Sequence, residues 1–131
     1  MERKAVSDQD LLAAIGRGDV KAARHALDAG ASPGARSAAG DPAIVLAAAV
    51  GRVELVELLL ERGAGVDDAG ETGNTALMQA VAGGQSATVR ALLARGADGA
   101  HVNRWGLGAA DWARWAKDAP DLLAEIQAKR S

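Results

Sequence analysis

Short apolar runs separated by glycine recur along this chain at an interval of 33 residues. The most continuously apolar run, residues 53–60, is closed by Gly63. The glycines between runs recur under the same shift: Gly40 to Gly73, Gly51 to Gly84, and Gly63 to Gly96. Glycine adopts positive φ at low cost, so glycine at a fixed interval predicts that the same backbone turns recur. A period of this length, with two helical segments per unit, is typical of a helical repeat array.

The apolar segments predict four pairs of helices, near 8–15 and 19–29, 42–49 and 52–62, 75–82 and 86–95, and 108–116 and 120–129. Asp19 is placed to cap the second helix, and Asp41 to cap the third, with Pro42 in its first turn. The second helix carries Lys21 and His25 and is more polar than its later copies. This polarity is expected of an end repeat, which has one stacked neighbour and one solvent-facing side.

The third unit carries Gly73-Asn74-Thr75-Ala76-Leu77, Ala80, Gly84, Val89, Leu92-Leu93 and Gly96-Ala97-Asp98. Through these residues the repeat resembles the ankyrin family. They stand where that repeat has G-x-T-P-L, A, G, V, L-L and G-A-D. The resemblance covers nearly the whole chain. It implies an all-α repeat array, an ankyrin-like solenoid of about four helix-turn-helix units joined by short finger loops. We expect a single domain with units at about 7–36, 37–69, 70–102 and 103–131.

The family's T-P-L-H motif is complete in none of the copies, which read Pro42-Ala43-Ile44-Val45, Thr75-Ala76-Leu77-Met78 and Gly108-Ala109-Ala110-Asp111. Its histidine, which in the family bonds neighbouring loops, is absent from all three. We therefore expect weak hydrogen bonding between repeats and an array held together by apolar stacking. On the central outer helix, Leu59 and Leu60 are both expected to face neighbouring units.

Composition narrows the class of protein. Hydrophobic residues make up 49% of the 131 residues but aromatic residues only 2%, so Ala, Leu and Val must build the core. The formal charge of −2 and pI of about 5.6 argue against a nucleic-acid partner. No apolar run is long enough to cross a membrane, and no apolar segment follows the charged N-terminus as in an export signal. We expect a cytoplasmic protein without membrane contact.

The sequence also lacks the patterns of catalytic and metal sites. The absence of cysteine excludes disulfides, thiol catalysis and thiolate metal ligands. His25 and His101 are the only histidines, and neither stands at metal-ligand spacing. The acidic run from Asp67 to Glu71 lacks the alternating ligands of a calcium loop. The glycine-rich turns follow helices rather than strands, unlike a phosphate-binding loop. We therefore expect no cofactor, no metal and no enzymatic activity.

The resemblance implies a partner site on the concave face, formed by the finger tips and the exposed edge of the first helix of each unit. Carried over to this sequence, the site includes Glu71, Asn74, Arg104, Trp105, Leu107 and Trp115. Arg62 and Arg95, each directly before a terminal glycine, are expected to reach the same side. Tryptophan and arginine are enriched at binding hot spots, so the last unit is expected to contribute most.

Each tryptophan has a packing alternative. Trp112 lies in a segment that resembles the end of terminal ankyrin repeats, where the ring packs against the stack, so we assign it to structure. For Trp115, packing and binding are equally open. Trp105, on a finger tip beside Arg104, is the residue we expect to contact a partner, with packing on the neighbouring finger as its alternative.

Taken together, these features predict a protein-protein interaction module: an adaptor, an inhibitor, or an immunity-type protein that shields an enzyme. The partner is expected to be another protein, whose identity the sequence does not specify. The alternative is a structural protein that self-associates through its tryptophan-rich end. We expect a monomer, with a homodimer as the alternative, and light scattering distinguishes the two.

Overall fold

The computed structural model describes residues 8–115, except the side chain of Trp115, together with residue 126. The helices within these residues are α1 (Asp8–Gly16), α2 (Val20–Asp28), α3 (Ala43–Val50), α4 (Val53–Glu61), α5 (Ala76–Ala82), α6 (Ser86–Ala94) and α7 (Ala109–Trp115). The first seven predicted helices are confirmed, each end within one residue of its predicted position. The predicted eighth helix, 120–129, lies outside the described residues apart from Ile126, which is helical and buried.

The helices stack in two rows. The inner row consists of α1, α3, α5 and α7, in which consecutive helices pack against each other. The outer row consists of α2, α4 and α6, which pack in the same way. Within each of the first three pairs, the inner helix also packs on the outer helix that follows it. The chain is therefore the helix-turn-helix repeat array that its 33-residue period predicts.

The core is made of small and branched aliphatic side chains, as the composition predicts. The largest fully buried side chains of α1 to α6 are Leu11, Ile15, Ile44, Leu55, Val56, Leu59, Leu77, Met78, Val81 and Leu92. The same position of the repeat is alanine in all four inner helices, and each of these alanines is at most 1% exposed: Ala14, Ala47, Ala80 and Ala113. Methyl groups at this position let neighbouring helices approach closely, because nothing larger separates their backbones.

Two expectations about α3 and α4 are wrong. The N-cap of α3 is Pro42, not Asp41, and it makes no side-chain capping bond. Pro42 stays extended, with φ −65° and ψ 152°, because it forms a β-bridge with Arg36 before the helix begins. On α4, Leu59 is fully buried, but Leu60 lies at the edge of the core and is only partly buried.

The predicted cap of the second helix is confirmed. The Oδ1 atom of Asp19 accepts a hydrogen bond from the backbone N–H of Ala22 at 3.0 Å, which satisfies one of the free donors of the first turn. Thr75 caps α5 in the same way, through a 3.4 Å bond from the N–H of Met78. Among the described helices, none combines the length and the apolar character that crossing a bilayer requires.

Candidate protein-binding surface

One tight turn lies between each outer helix and the inner helix that follows it. We call these three turns the first, second and third fingers: residues 36–42, 69–75 and 102–108. Each finger is closed at its base by a β-bridge, which pairs Arg36 with Pro42, Ala69 with Thr75, and Val102 with Gly108. One residue further in, the same backbone bond recurs, from Ser37 N to Asp41 O, Gly70 N to Asn74 O, and Asn103 N to Leu107 O. The fingers are therefore copies of one turn.

A glycine with positive φ shapes each finger, and Gly73 also sets the spacing between two of them. The φ angles are 86° at Gly40, 87° at Gly73 and 78° at Gly106, a region that residues with a Cβ rarely adopt. A Cβ added to Gly73 would lie 3.0 Å from the Cα of Asn103. The second and third fingers therefore pack backbone against backbone at this point.

Hydrogen bonds join neighbouring fingers, contrary to the expectation drawn from the missing family histidine. Arg36 donates from Nη1 to the carbonyl of Gly40 in its own finger at 2.8 Å and to that of Ala69 in the second finger at 2.9 Å. The N–H of Arg104 donates to the carbonyl of Thr72 at 2.9 Å. The expectation of weak inter-repeat bonding is wrong because residues outside the family motif supply these bonds.

His101 adds a further bond between the second and third fingers. Its Nε2 lies 3.0 Å from the carbonyl oxygen of Gly73, and because a carbonyl only accepts, Nε2 must carry the proton. His101 therefore contributes to stacking. The other histidine, His25, is exposed on α2. Within the described part of the chain, no group of three or more His, Asp or Glu side chains is gathered as metal ligands would be.

Asn103 is the centre of the third finger, and sequence reasoning missed it. Asn103 is buried, with only 6% of its surface exposed. Its Nδ2 donates to Oδ1 of Asn74 at 2.9 Å. Its Oδ1 accepts from the N–H groups of Trp105 and Leu107, at 2.9 and 3.0 Å. An asparagine three residues before a turn glycine signals such side-chain-to-backbone bonding. The other fingers have Ser37 and Gly70 at this position, so no repeated pattern marks it.

Arg104 and Trp105 form the tip of the third finger, and both are exposed. Trp105 is 62% exposed, the largest such fraction among the described large hydrophobic residues. The Cζ atom of Arg104 lies 5.5 Å from the centroid of the Trp105 ring, within the range of a cation–π interaction. Both backbones are held, Arg104 by Thr72 and Trp105 by Asn103. The tip therefore presents a large apolar ring and a cation on a fixed turn.

Three further predicted site residues lie on the same two fingers. Glu71 is exposed at the tip of the second finger. Asn74 is partly buried and accepts the bond from Asn103 between the fingers. Leu107 is partly exposed at the end of the third finger. Asn74 and Leu107 are thus joined to the third finger through Asn103, whereas the side chain of Glu71 lies against Gly40 of the first finger.

The remaining predicted residues are placed differently. Arg62, the C-cap of α4, pairs through Nη2 with Oδ1 of Asp28 at 2.8 Å. This ion pair joins the ends of two outer helices, so the guanidinium of Arg62 already has a partner within the chain. Arg95 holds the equivalent C-cap position of α6 and is exposed. Trp115 ends α7, and its side chain lies outside the described residues.

The inner helices add a surface of small side chains. Ala13, Ala49 and Ala82 are exposed on α1, α3 and α5. The inner-helix position held by Leu46 on α3 carries Trp112 on α7, where the ring is partly buried against the core. Trp112 therefore packs on the stack, as expected. Among the large hydrophobic residues that the structure describes, the most exposed is therefore on a finger, at Trp105.

Comparison with known proteins agrees with this architecture. The family model described as ankyrin repeats (3 copies) matches residues 11–104, which is more than half of the chain. Among curated proteins, none matches the sequence.

Proposed function

Because this chain belongs to the ankyrin repeat family, we propose that it binds another protein through its fingers and the adjoining face of the inner helices. Ankyrin repeats are in general protein-protein interaction modules. We assign the chain the role of an adaptor, an inhibitor or an immunity-type protein, acting by occupying a surface of its partner. The third finger is the main anchor in this proposal.

The exposure of Trp105 on a hydrogen-bonded turn is the observation that supports this site. A tryptophan buries roughly 150–250 Å² when covered, and this ring is 62% exposed. Covering the exposed part removes roughly 100–150 Å² from water, worth about 2.5–4 kcal/mol before the costs of association. Ordering and imperfect contact reduce this to about 1–3 kcal/mol. Because Asn103 and Thr72 already hold the turn, little backbone freedom is lost on binding.

The charges around the fingers favour a protein over a nucleic acid. Asp67 and Asp68 precede the second finger, Glu71 lies at its tip, and Asp98 precedes the third. The two loops are in contact, since the N–H of Asp98 donates to Oδ1 of Asp67 at 2.9 Å. A phosphate backbone laid along the fingers would meet these carboxylates and be repelled.

The test compares affinity capture from native lysate by the wild-type chain and by two variants, followed by calorimetry with the captured partner. Trp105→Ala and Arg104→Ala are each expected to weaken binding by about 1–3 kcal/mol while helical CD and melting temperature hold. Lys21→Ala, on the exposed face of α2, is the control and should bind like the wild type. A partner whose affinity is unaffected by Trp105→Ala refutes the third finger as the anchor.

Light scattering on the same samples separates binding from self-association. A monomer that captures a different protein supports the proposed function. A stable dimer that Trp105→Ala dissociates, with no other protein captured, refutes it in favour of a self-associating structural protein.

A further inference from the structure

We propose that the second and third fingers orient the partner by opposite charges, with Glu71 receiving a basic side chain and Arg104 a carboxylate next to an apolar residue. This inference rests on the proposed function and names the chemistry of the segment that is bound. The partner segment is accordingly a mixed-charge stretch of protein, rather than a polyanion or a purely apolar helix.

The two charges occupy the same position of equivalent turns. A shift of 33 residues takes Ala38 to Glu71 and Glu71 to Arg104, and all three are exposed. The finger tips therefore run from small and neutral, through negative, to positive and aromatic. The N–H of Arg104 lies 2.9 Å from the carbonyl of Thr72, the residue after Glu71, and consecutive Cα atoms are about 3.8 Å apart. The Cα atoms of Glu71 and Arg104 are therefore within about 10 Å of each other.

Within the part of the chain that the structure describes, no ion pair involves Glu71 or Arg104. The first finger also holds Arg36, but its Nη1 donates to the carbonyls of Gly40 and Ala69. The side chain of Glu71 lies over the first finger: a Cβ placed on Gly40 would be 3.0 Å from its Cγ. Arg104 lies instead over the ring of Trp105. Glu71 and Arg104 therefore do not pair with each other, and both are exposed to a partner.

The guanidinium and the indole together define one half of the bound segment. The guanidinium of Arg104, whose Cζ lies 5.5 Å from the centroid of the Trp105 ring, can bind a carboxylate through two parallel hydrogen bonds. The exposed ring beside it accommodates an apolar side chain. A carboxylate therefore fits best next to an apolar residue in the partner.

The acidic neighbourhood defines the other half. A partner segment whose carboxylate binds Arg104 and which continues toward the second finger meets the carboxylate of Glu71. Like charges opposite each other cost affinity, whereas a basic side chain there is attracted. In an extended segment, which advances about 3.3 Å per residue, the basic residue would stand about three residues from the carboxylate. Exposed pairs add little affinity but set orientation.

Selection from a random linear peptide library on the immobilised full chain tests this chemistry. The wild type is expected to enrich peptides with an acidic residue next to an apolar one and a basic residue about three positions away. Arg104→Glu is expected to weaken these peptides about tenfold. The double variant Glu71→Lys/Arg104→Glu should select the reverse pattern, with a basic residue next to the apolar one. That reversal cannot result from a loss of folding.

Matched controls carry the same charge changes on the outer helices. Arg24→Glu on α2 and Glu57→Lys on α4 alter exposed residues and should leave the selected peptides unchanged. Selection without charge preference overturns the inference, as does an equal effect of Arg24→Glu. Binding of a single-stranded oligonucleotide that Arg104→Glu abolishes overturns it as well. If the capture of a native partner still depends on Trp105, the proposed function survives any of these results.

Discussion

Removing the side chain of Asn103 should destabilise the array far more than its small size suggests. In Asn103→Ala, the N–H groups of Trp105 and Leu107 lose their common acceptor, and Asn74 loses the donor that links the two fingers. A hydrogen bond contributes about 0.5–1.5 kcal/mol net, and a buried group left without a partner costs more. The three bonds together predict a loss of about 2–4 kcal/mol in the free energy of unfolding.

Urea denaturation followed by helical CD measures this loss directly. The matched control is Ser37→Ala, at the same position of the first finger, where Ser37 Oγ accepts one long bond of 3.3 Å from Asp41 N. This control is expected to cost less than about 1 kcal/mol. Asn103→Asp, which keeps the acceptor oxygen, should fall between the two. Equal midpoints for Asn103→Ala and Ser37→Ala would refute the assignment of Asn103 as the centre of the third finger.

A second readout connects this residue to binding. The same variant frees the backbone of Trp105 from its acceptor, so the ring must be ordered when a partner binds. We expect Asn103→Ala to weaken partner binding even at temperatures where the chain stays folded, because fixing a released residue costs about 1–2 kcal/mol. Unchanged affinity in the folded variant would show that the turn is held without Asn103.

The remaining predictions concern the core and the finger spacing. Leu59→Ala should lower the free energy of unfolding by about 2–5 kcal/mol and Leu60→Ala by less than about 2 kcal/mol, because only Leu59 is fully buried; equal denaturant midpoints would contradict this. Gly73→Ala should cost more than about 1 kcal/mol, since it adds a Cβ at φ 87° and 3.0 Å from the third finger. The control is Gly34→Ala, at an ordinary φ with its nearest neighbour 3.8 Å away, and it should leave the free energy of unfolding nearly unchanged. If Gly73→Ala and Gly34→Ala lower the free energy of unfolding equally, the second and third fingers are not crowded at Gly73.

The sequence by itself determined the repeat and its helices. Helix ends depend on local properties, namely the φ that glycine permits, the apolar spacing within a run, and a capping side chain such as Asp19. These properties recur every 33 residues in this chain, so each unit could be predicted alone and then copied. The exposure of Trp105 and Arg104 on a finger also followed from their register in the repeat.

Only the tertiary structure decided which side chains join one repeat to the next. Arg36, His101 and Asn103 bond to fingers that are 28 to 33 residues away in sequence, and Arg62 is drawn to Asp28 on the preceding outer helix. These partners occupy different positions of the repeat, so periodicity does not reveal them. The physical reason is that stacking places one turn beside the next, and whether two polar groups then meet depends on the distance between backbones.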